Sequence, residues 1–96
     1  MAVYLMGIIE EIHDQATFQR YVEQVAPVVA QYGGRYLFVA TQVERIEGTL
    51  NPAVVAALEF ADDAARRAFW DSPEYTAVKG LRQRSTRSNV LFADTL

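Results

Sequence analysis

The chain has 96 residues, of which 51% are hydrophobic and 22% are charged, and its formal net charge at pH 7 is −3. This length predicts one domain, residues 1–96, and the composition is that of a globular rather than a disordered protein. The acidic balance argues against nucleic-acid binding, and the lack of cysteine excludes disulfides, a thiol nucleophile and thiolate zinc sites.

The first predicted element is a central β-strand from Val3 to Ile12. Apolar side chains occupy both of its alternating faces, so both faces should be covered. The segment is too short to cross a bilayer, has no basic residue ahead of it, and runs into Glu10 and Glu11. We therefore expect neither a membrane helix nor a signal peptide. We expect the protein to be cytoplasmic.

An amphipathic helix is predicted next, with Asp14 as its N-cap and a stop at Gly33 and Gly34. Its apolar residues recur every three or four positions, as one buried helix face requires: Phe18, Tyr21, Val22, Val25, Val29 and Tyr32. Pro27 predicts a kink, because proline lacks an amide hydrogen and clashes with the carbonyl group four residues back.

Two strands are predicted at Arg35 to Val43 and at Ala53 to Phe60, joined by a turn-rich loop. If Phe60 and the alternate residues before it face the helices, then Val55, Ala57 and Glu59 face the other side of the sheet. That second face would be more apolar than a monomer usually exposes, so we expect two copies to pack sheet to sheet as an isologous homodimer.

A second helix is predicted to open at Asp62 and Asp63 and to end near Trp70. Ser72 then has the side chain of an N-cap and Pro73 suits the first position of a further helical stretch, which continues to about Arg84. A short last strand is predicted at Asn89 to Ala93.

The predicted order of elements is βαββαβ, which favours an α+β, ferredoxin-like fold: a four-stranded antiparallel sheet with two helices on one face. Several short motifs, in their order and spacing, resemble a bacterial family known as domain of unknown function 1330: Gly33-Gly34-Arg35-Tyr36-Leu37, Glu47-Gly48, Glu59-Phe60, Ser72-Pro73-Glu74-Tyr75 and Leu81-Arg82. This resemblance implies membership of the dimeric α/β-barrel superfamily. Its members include cofactor-free monooxygenases, muconolactone isomerases and haem-degrading enzymes.

Two residues are candidates for acid–base chemistry, His13 and Glu59. His13 has carboxylates beside it and is either a general base or metal ligand or a surface histidine at the end of a strand. Glu59 is predicted among apolar neighbours and needs a partner, for which Arg35 and Arg82 are candidates; it is either half of a structural ion pair or a catalytic acid. Because the histidine is alone, we expect no bound metal and no haem or other cofactor.

Ligand binding is predicted to involve Arg35, Tyr75 and Arg82. Tyr75 and Arg82 are seven residues apart and so share one helix face, where a guanidinium and a hydroxyl would suit a small anionic or aromatic ligand. The alternatives are that Tyr75 serves the core and that the basic residues of this segment are solvated, as we expect for Arg84 and Arg87.

Two functional hypotheses follow from these residues. The protein is either a small cofactor-independent enzyme, monooxygenase-like or isomerase-like, acting on a small carboxylated or aromatic molecule, or a non-catalytic dimeric module that binds a small molecule or a partner. A pocket that contains Glu59 and an unpaired arginine would favour the enzyme, and a cleft filled by side chains would favour the module.

Overall fold

The computed structural model describes residues 2–95, which form a four-stranded antiparallel sheet and three helices. The sheet has the order β2-β3-β1-β4, and all three helices pack on one of its faces. The elements are β1 (Val3–Ile12), α1 (Gln15–Gln31), β2 (Arg35–Ala40), β3 (Val54–Phe60), α2 (Asp63–Trp70), α3 (Pro73–Ser85) and β4 (Thr86–Asp94). The predicted ferredoxin-like fold is confirmed.

Helices α1 and α3 begin at the positions that their N-cap residues predicted. Asp14 accepts a hydrogen bond from the amide of Thr17 (3.1 Å), and Ser72 accepts one from the amide of Tyr75 (3.0 Å). Gly33 adopts a positive φ of 77° just after α1, a conformation that an L side chain rarely adopts. Pro27 lies within α1, which continues as one helix to Gln31.

The strand ends differ from the prediction at two places. β2 ends at Ala40 rather than Val43, because its partner β3 begins only at Val54 and the ladder ends with the pair of Ala40 and Val55. β4 is longer than the predicted span, because it pairs with β1 from Ile12 onwards across a register shift. Pairing with a central strand therefore extends β4 into polar residues.

No loop separates α3 from β4. Ser85 is the last helical residue and its Oγ donates to the carbonyl of Leu81 (2.5 Å), while the Oγ1 of Thr86 donates to the carbonyl of Arg82 (2.7 Å). The carbonyl of Ser85 in turn accepts a hydrogen bond from the amide of His13 (2.7 Å). Hydrogen bonds thus link the last turn of α3 both to the start of β4 and to the end of β1.

The face of the sheet that carries no helix is apolar at its centre. Register places Met6 beside Ala57, Ile8 beside Val55, and Leu91 beside Met6 on this face. Half of the Leu91 side chain is exposed. We call this surface, formed by Met6, Ile8, Phe38, Val55, Ala57 and Leu91, the open sheet face. Val55 and Glu59 lie on the side away from the helices, as their alternation with Phe60 predicted.

Two hydrogen bonds from the C-terminal end of α1 and the residue after it end on the carboxylate of Glu74 in α3. The hydroxyl of Tyr32 donates to Oε1 (2.7 Å) and the amide of Gln31 donates to Oε2 (3.2 Å). The bond from Tyr32 is the main reason that the pKa of Glu74 lies below its ordinary value of 4.5. The ionised carboxylate therefore helps to hold the two helices together.

We predict that replacing Tyr32 by phenylalanine makes stability less sensitive to acid. A carboxyl group whose pKa is lowered by folding stabilises the protein above its unfolded-state pKa, and this contribution is lost as the pH falls through the folded-state pKa. The unfolding temperature of Tyr32→Phe should therefore lie below that of the wild type at pH 7, and the gap should narrow below about pH 4.5. Tyr36→Phe is the control, and a gap for Tyr32→Phe that stays constant across this range would contradict the prediction.

Candidate ligand-binding site

A cavity of about 290 Å³ lies between the sheet and the helices. Its walls are almost entirely apolar: β1, β3 and β4 form the floor, and α1, α2 and α3 form the roof. The lining residues that solvent reaches most are Val22 and Ala26 of α1 and Tyr36 and Val39 of β2. The mouth of the cavity therefore lies between α1 and the edge strand β2.

Three tyrosines line the cavity: Tyr21, Tyr36 and Tyr75. The hydroxyls of Tyr21 and Tyr75 lie 3.2 Å apart and share a hydrogen bond, although they are 54 positions apart in sequence. Burial, followed by the neighbouring Tyr75, raises the pKa of Tyr21 well above its ordinary value, and burial raises the pKa of Tyr36 to about 12. Since each phenol carries one hydrogen, the bonded pair retains one O–H that is free to donate.

Arg82 also lines the cavity and is only 6% exposed. Its Nη1 donates to the Oγ of Ser88 (3.0 Å), its guanidinium lies 6.0 Å from the ring centre of Tyr21, and its Nε has no hydrogen-bond partner. No carboxylate in residues 2–95 forms an ion pair with it. Desolvating a charge costs several kcal/mol unless an opposite charge compensates it, so this cation favours an anion nearby.

Aromatic neighbours hold Tyr75 in place. Its ring centre lies 4.5 Å from that of Phe69 and 5.2 Å from that of Trp70, and the residue is 2% exposed. The amine of Lys79, in α3, lies 4.8 Å from the ring centre of Trp70, the last residue of α2. Tyr75 therefore packs in the core, as one of the two alternatives for it predicted, and it also lines the cavity. That its hydroxyl orients a ligand stays a prediction.

The other predicted site residues lie elsewhere. Arg35 and Glu59 are on the opposite side of the sheet, where Nε of Arg35 donates to Oε1 of Glu59 at 2.7 Å. They form the ion pair that was one of the alternatives for Glu59, and they do not line the cavity. The structure thus brings Tyr75 and Arg82 together and separates them from Arg35 and Glu59.

His13 lies at the surface, away from the cavity, with its Nδ1 3.2 Å from Oε1 of Glu11. Within the described residues, no group of three or more His, Asp or Glu side chains is arranged to hold a metal ion. Arg84 is exposed, and Arg87 is exposed and pairs with Glu10 and Glu11. That the purified protein carries no metal or cofactor stays a prediction, which elemental analysis would test.

The cavity residues that were not predicted as site residues include Tyr21, Gly7 and Ala56. Tyr21 lies on the predicted apolar stripe of α1. The sequence around a tyrosine that lines a cavity does not differ from the sequence around one that packs in the core. Gly7 did carry a signal, because a glycine inside an otherwise apolar strand often marks a close approach of another group.

Together, the fold and the cavity define an α+β ferredoxin-like protein with an apolar cavity between its sheet and helices. The family profile described as "Domain of unknown function (DUF1330)" matches residues 2–96, so the chain belongs to this family. No curated protein sequence is significantly similar to it. In the described part of the chain, no helix combines the length and the apolar character needed to cross a bilayer.

Solved structures with the same fold have little sequence in common with the chain. A protein of unknown function from Rhodopseudomonas palustris is 15% identical, with a TM-score of 0.80 over 99% of this chain and 82% of that one. A variant of SnoaB, a cofactor-independent oxygenase from Streptomyces nogalater, is 17% identical, with a TM-score of 0.73 over 98% and 92%. A dimeric ferredoxin-like protein of unknown function from Jannaschia is 14% identical, with a TM-score of 0.71 over 99% and 100%. These similarities establish the fold.

Proposed function

We propose that the protein binds a small aromatic or carboxylated molecule as its anion in this cavity and acts on it as a cofactor-independent enzyme of the oxygenase or isomerase type. The observation that carries the proposal is the buried guanidinium of Arg82, which borders an apolar cavity and has no carboxylate partner in residues 2–95. A ligand with an apolar body and one negative group satisfies both features.

The polar groups of the cavity suit an acceptor rather than a donor. Arg82 can only donate hydrogen bonds, and the Tyr21 and Tyr75 pair has one O–H free to donate. Among the described residues, no carboxylate or histidine lines the cavity, so its one charged group is a cation. Such a site should bind carboxylates, enolates and phenolates and reject amines. Enolate isomerisation and the direct reaction of a substrate anion with dioxygen both place negative charge on a substrate oxygen, which a fixed cation and a fixed hydroxyl stabilise.

The fold shared with SnoaB is consistent with this class of chemistry, because SnoaB is described as a cofactor-independent oxygenase. Only the class of reaction, cofactor-independent oxygenation, is taken from SnoaB. The residues that would hold the substrate here, Arg82 and the Tyr21 and Tyr75 pair, come from the geometry of this chain.

The anion proposal is tested by titrating the protein with benzoate and with benzamide in a calorimeter. The two compounds have nearly the same shape and differ in charge. We expect benzoate to bind at least tenfold more tightly, since a charge-assisted hydrogen bond contributes about 1.5–3 kcal/mol. Equal affinity for the two compounds would contradict the proposal.

A second candidate function is a non-catalytic binding module. It is favoured by the absence of a carboxylate or histidine from the lining of the cavity in the described residues, which leaves only phenols of raised pKa to move a proton. Oxygen uptake and ligand consumption, followed with hydroxyaromatic and enolisable acids, separate the two functions. Turnover in proportion to protein concentration supports the enzyme, and tight binding without conversion supports the module.

We also propose that the protein functions as a homodimer that buries the open sheet face. Phe38 and Leu91 are 47% and 50% exposed on this face in the single chain, beside Met6, Ile8 and Val55. Two-fold packing of one open sheet face on another would cover these side chains. The Jannaschia protein with the same fold is described as dimeric, which is consistent with a dimer here.

A further inference from the structure

We infer that Gly7 and Ala56 form a seat for a flat ring, and that this seat allows the site to accept ligands of two fused rings as well as one. The inference rests on the proposed function, because it concerns the ligand of the same cavity. Gly7 lies on the central strand β1 and Ala56 on β3, and both line the cavity floor.

The register of the sheet makes this seat a depression. Gly7 is paired with Ala56 on one side and with Val90 on the other, and Ala56 is paired with Val39. The next helix-facing row on one side contains the larger pair of Leu5 and Leu58, and the row on the other side contains Ile9 and Val54. The two smallest side chains of the floor therefore lie next to each other, with larger ones before and after them along the strands.

Open space lies above this seat. A Cβ atom built on Gly7 meets no atom within 4 Å from the described residues other than its two chain neighbours, although Gly7 is in the middle of an interior strand of the sheet. In a packed core such a position would be filled by a neighbouring side chain, and glycine costs a strand stability through its freedom in the unfolded state. A glycine that leaves usable space beside a cavity is what close approach of a ligand requires.

The roof of the cavity supplies the other side of a slot. Phe18 and Tyr21 are stacked on α1 with ring centres 6.2 Å apart, and Trp70 and Tyr75 lie on the neighbouring helices. A flat ring placed on Gly7 and Ala56 would thus lie between a floor without side-chain bulk and a roof of aromatic rings. Aromatic faces bind flat apolar ligands with good area of contact.

The volume fits a ligand of this size. An engineered apolar cavity of about 150 Å³ holds one benzene molecule, whereas pockets for drug-sized ligands measure about 300–1,000 Å³. The 290 Å³ of this cavity is therefore enough for two fused rings and lies at the lower end of the range of such pockets.

The experiment compares benzoate, with one ring, and 2-naphthoate, with two, on the wild type and on Gly7→Ala and Gly7→Val. Both substitutions add bulk where the structure has space, so we expect both variants to fold with unfolding temperatures no lower than that of the wild type. Gly7→Val should weaken 2-naphthoate at least tenfold and leave benzoate within threefold, and Gly7→Ala should lie between the wild type and Gly7→Val. Ala56→Val should act in the same direction as Gly7→Val. Its matched control is Ala93→Val, which makes the same change on the opposite face of the sheet.

The outcomes separate this inference from the proposed function. If benzoate binds more tightly than benzamide but the ratio of 2-naphthoate to benzoate affinity is the same in Gly7→Val and the wild type, the ring seat is wrong and the proposed function stands. If the wild type binds neither acid, both are wrong. A Gly7→Val protein that unfolds would also overturn the inference, because it would mean that the space above Gly7 is not free.

Discussion

Val55→Asp should prevent the protein from forming a dimer, leaving a monomer or an unfolded chain. Val55 lies on the open sheet face, paired with Ile8 and with Ala40. In the proposed dimer this substitution buries an unpaired carboxylate against the second copy, at a cost of several kcal/mol. Light scattering at micromolar concentration measures the mass, and circular dichroism shows whether the monomer remains folded.

Two further variants make this test specific. Leu91→Asp changes a residue of the same face that is half exposed in the single chain, so it should give a monomer that stays folded. Ala77→Asp introduces the same charge at an exposed position of α3 and should leave the dimer unchanged. A wild-type mass of one 10.8 kDa chain would rule out the proposed dimer, and an unaltered dimer of Val55→Asp would show that another surface holds it together.

Arg82→Met should weaken benzoate binding about ten- to a hundredfold without destabilising the fold. Loss of a charge-assisted contact costs about 1.5–3 kcal/mol of binding free energy. Methionine retains most of the apolar stem of the side chain, and the removed charge is buried with no carboxylate partner in residues 2–95, so its desolvation cost is removed with it. Calorimetry gives the affinity, and thermal unfolding of the ligand-free protein gives the stability.

The result for Arg82 separates a role in binding from a role in the fold. Arg84→Met and Arg87→Met are the matched controls, because both side chains are exposed and neither lines the cavity. Equal losses of affinity in all three variants would indicate nonspecific attraction of charge. Unchanged affinity in Arg82→Met, together with a lower unfolding temperature, would assign this arginine to the fold through its bond to Ser88.

Much of the fold could be predicted from local signals in the sequence. Asp14 and Ser72 have the short acceptor side chains that cap helices, and both cap one here. Alternation with Phe60 was enough to put Val55 on the open sheet face. The true ends of β2 and β4 could not be predicted in this way, because they depend on where the partner strand begins and ends.

The candidate site was predicted only where helix periodicity determines it. Tyr75 and Arg82 are two turns apart on one helix, so their common face followed from spacing alone. The face of the sheet on which Arg35 lies depends on the register of β2, which includes an irregularity after Tyr36. This register pairs Arg35 with Glu59 on the other face. Tyr21 meets Tyr75 only through packing between segments that are distant in the sequence, to which no local pattern corresponds.

Because α3 is connected to β4 without a loop, the wall of the cavity formed by α3 is less free to move than the opposite wall. Hydrogen bonds from Ser85 and Thr86 to the last turn of the helix, and from His13 to Ser85, leave no hinge residues between Arg82 and the sheet. On the other side, the rim is formed by α1 and by β2, an edge strand with a neighbour on one side only. In the proposed function, a ligand would therefore enter and leave past the rim around Val22 and Val39, and Arg82 would remain held against the sheet by its hydrogen bond to Ser88.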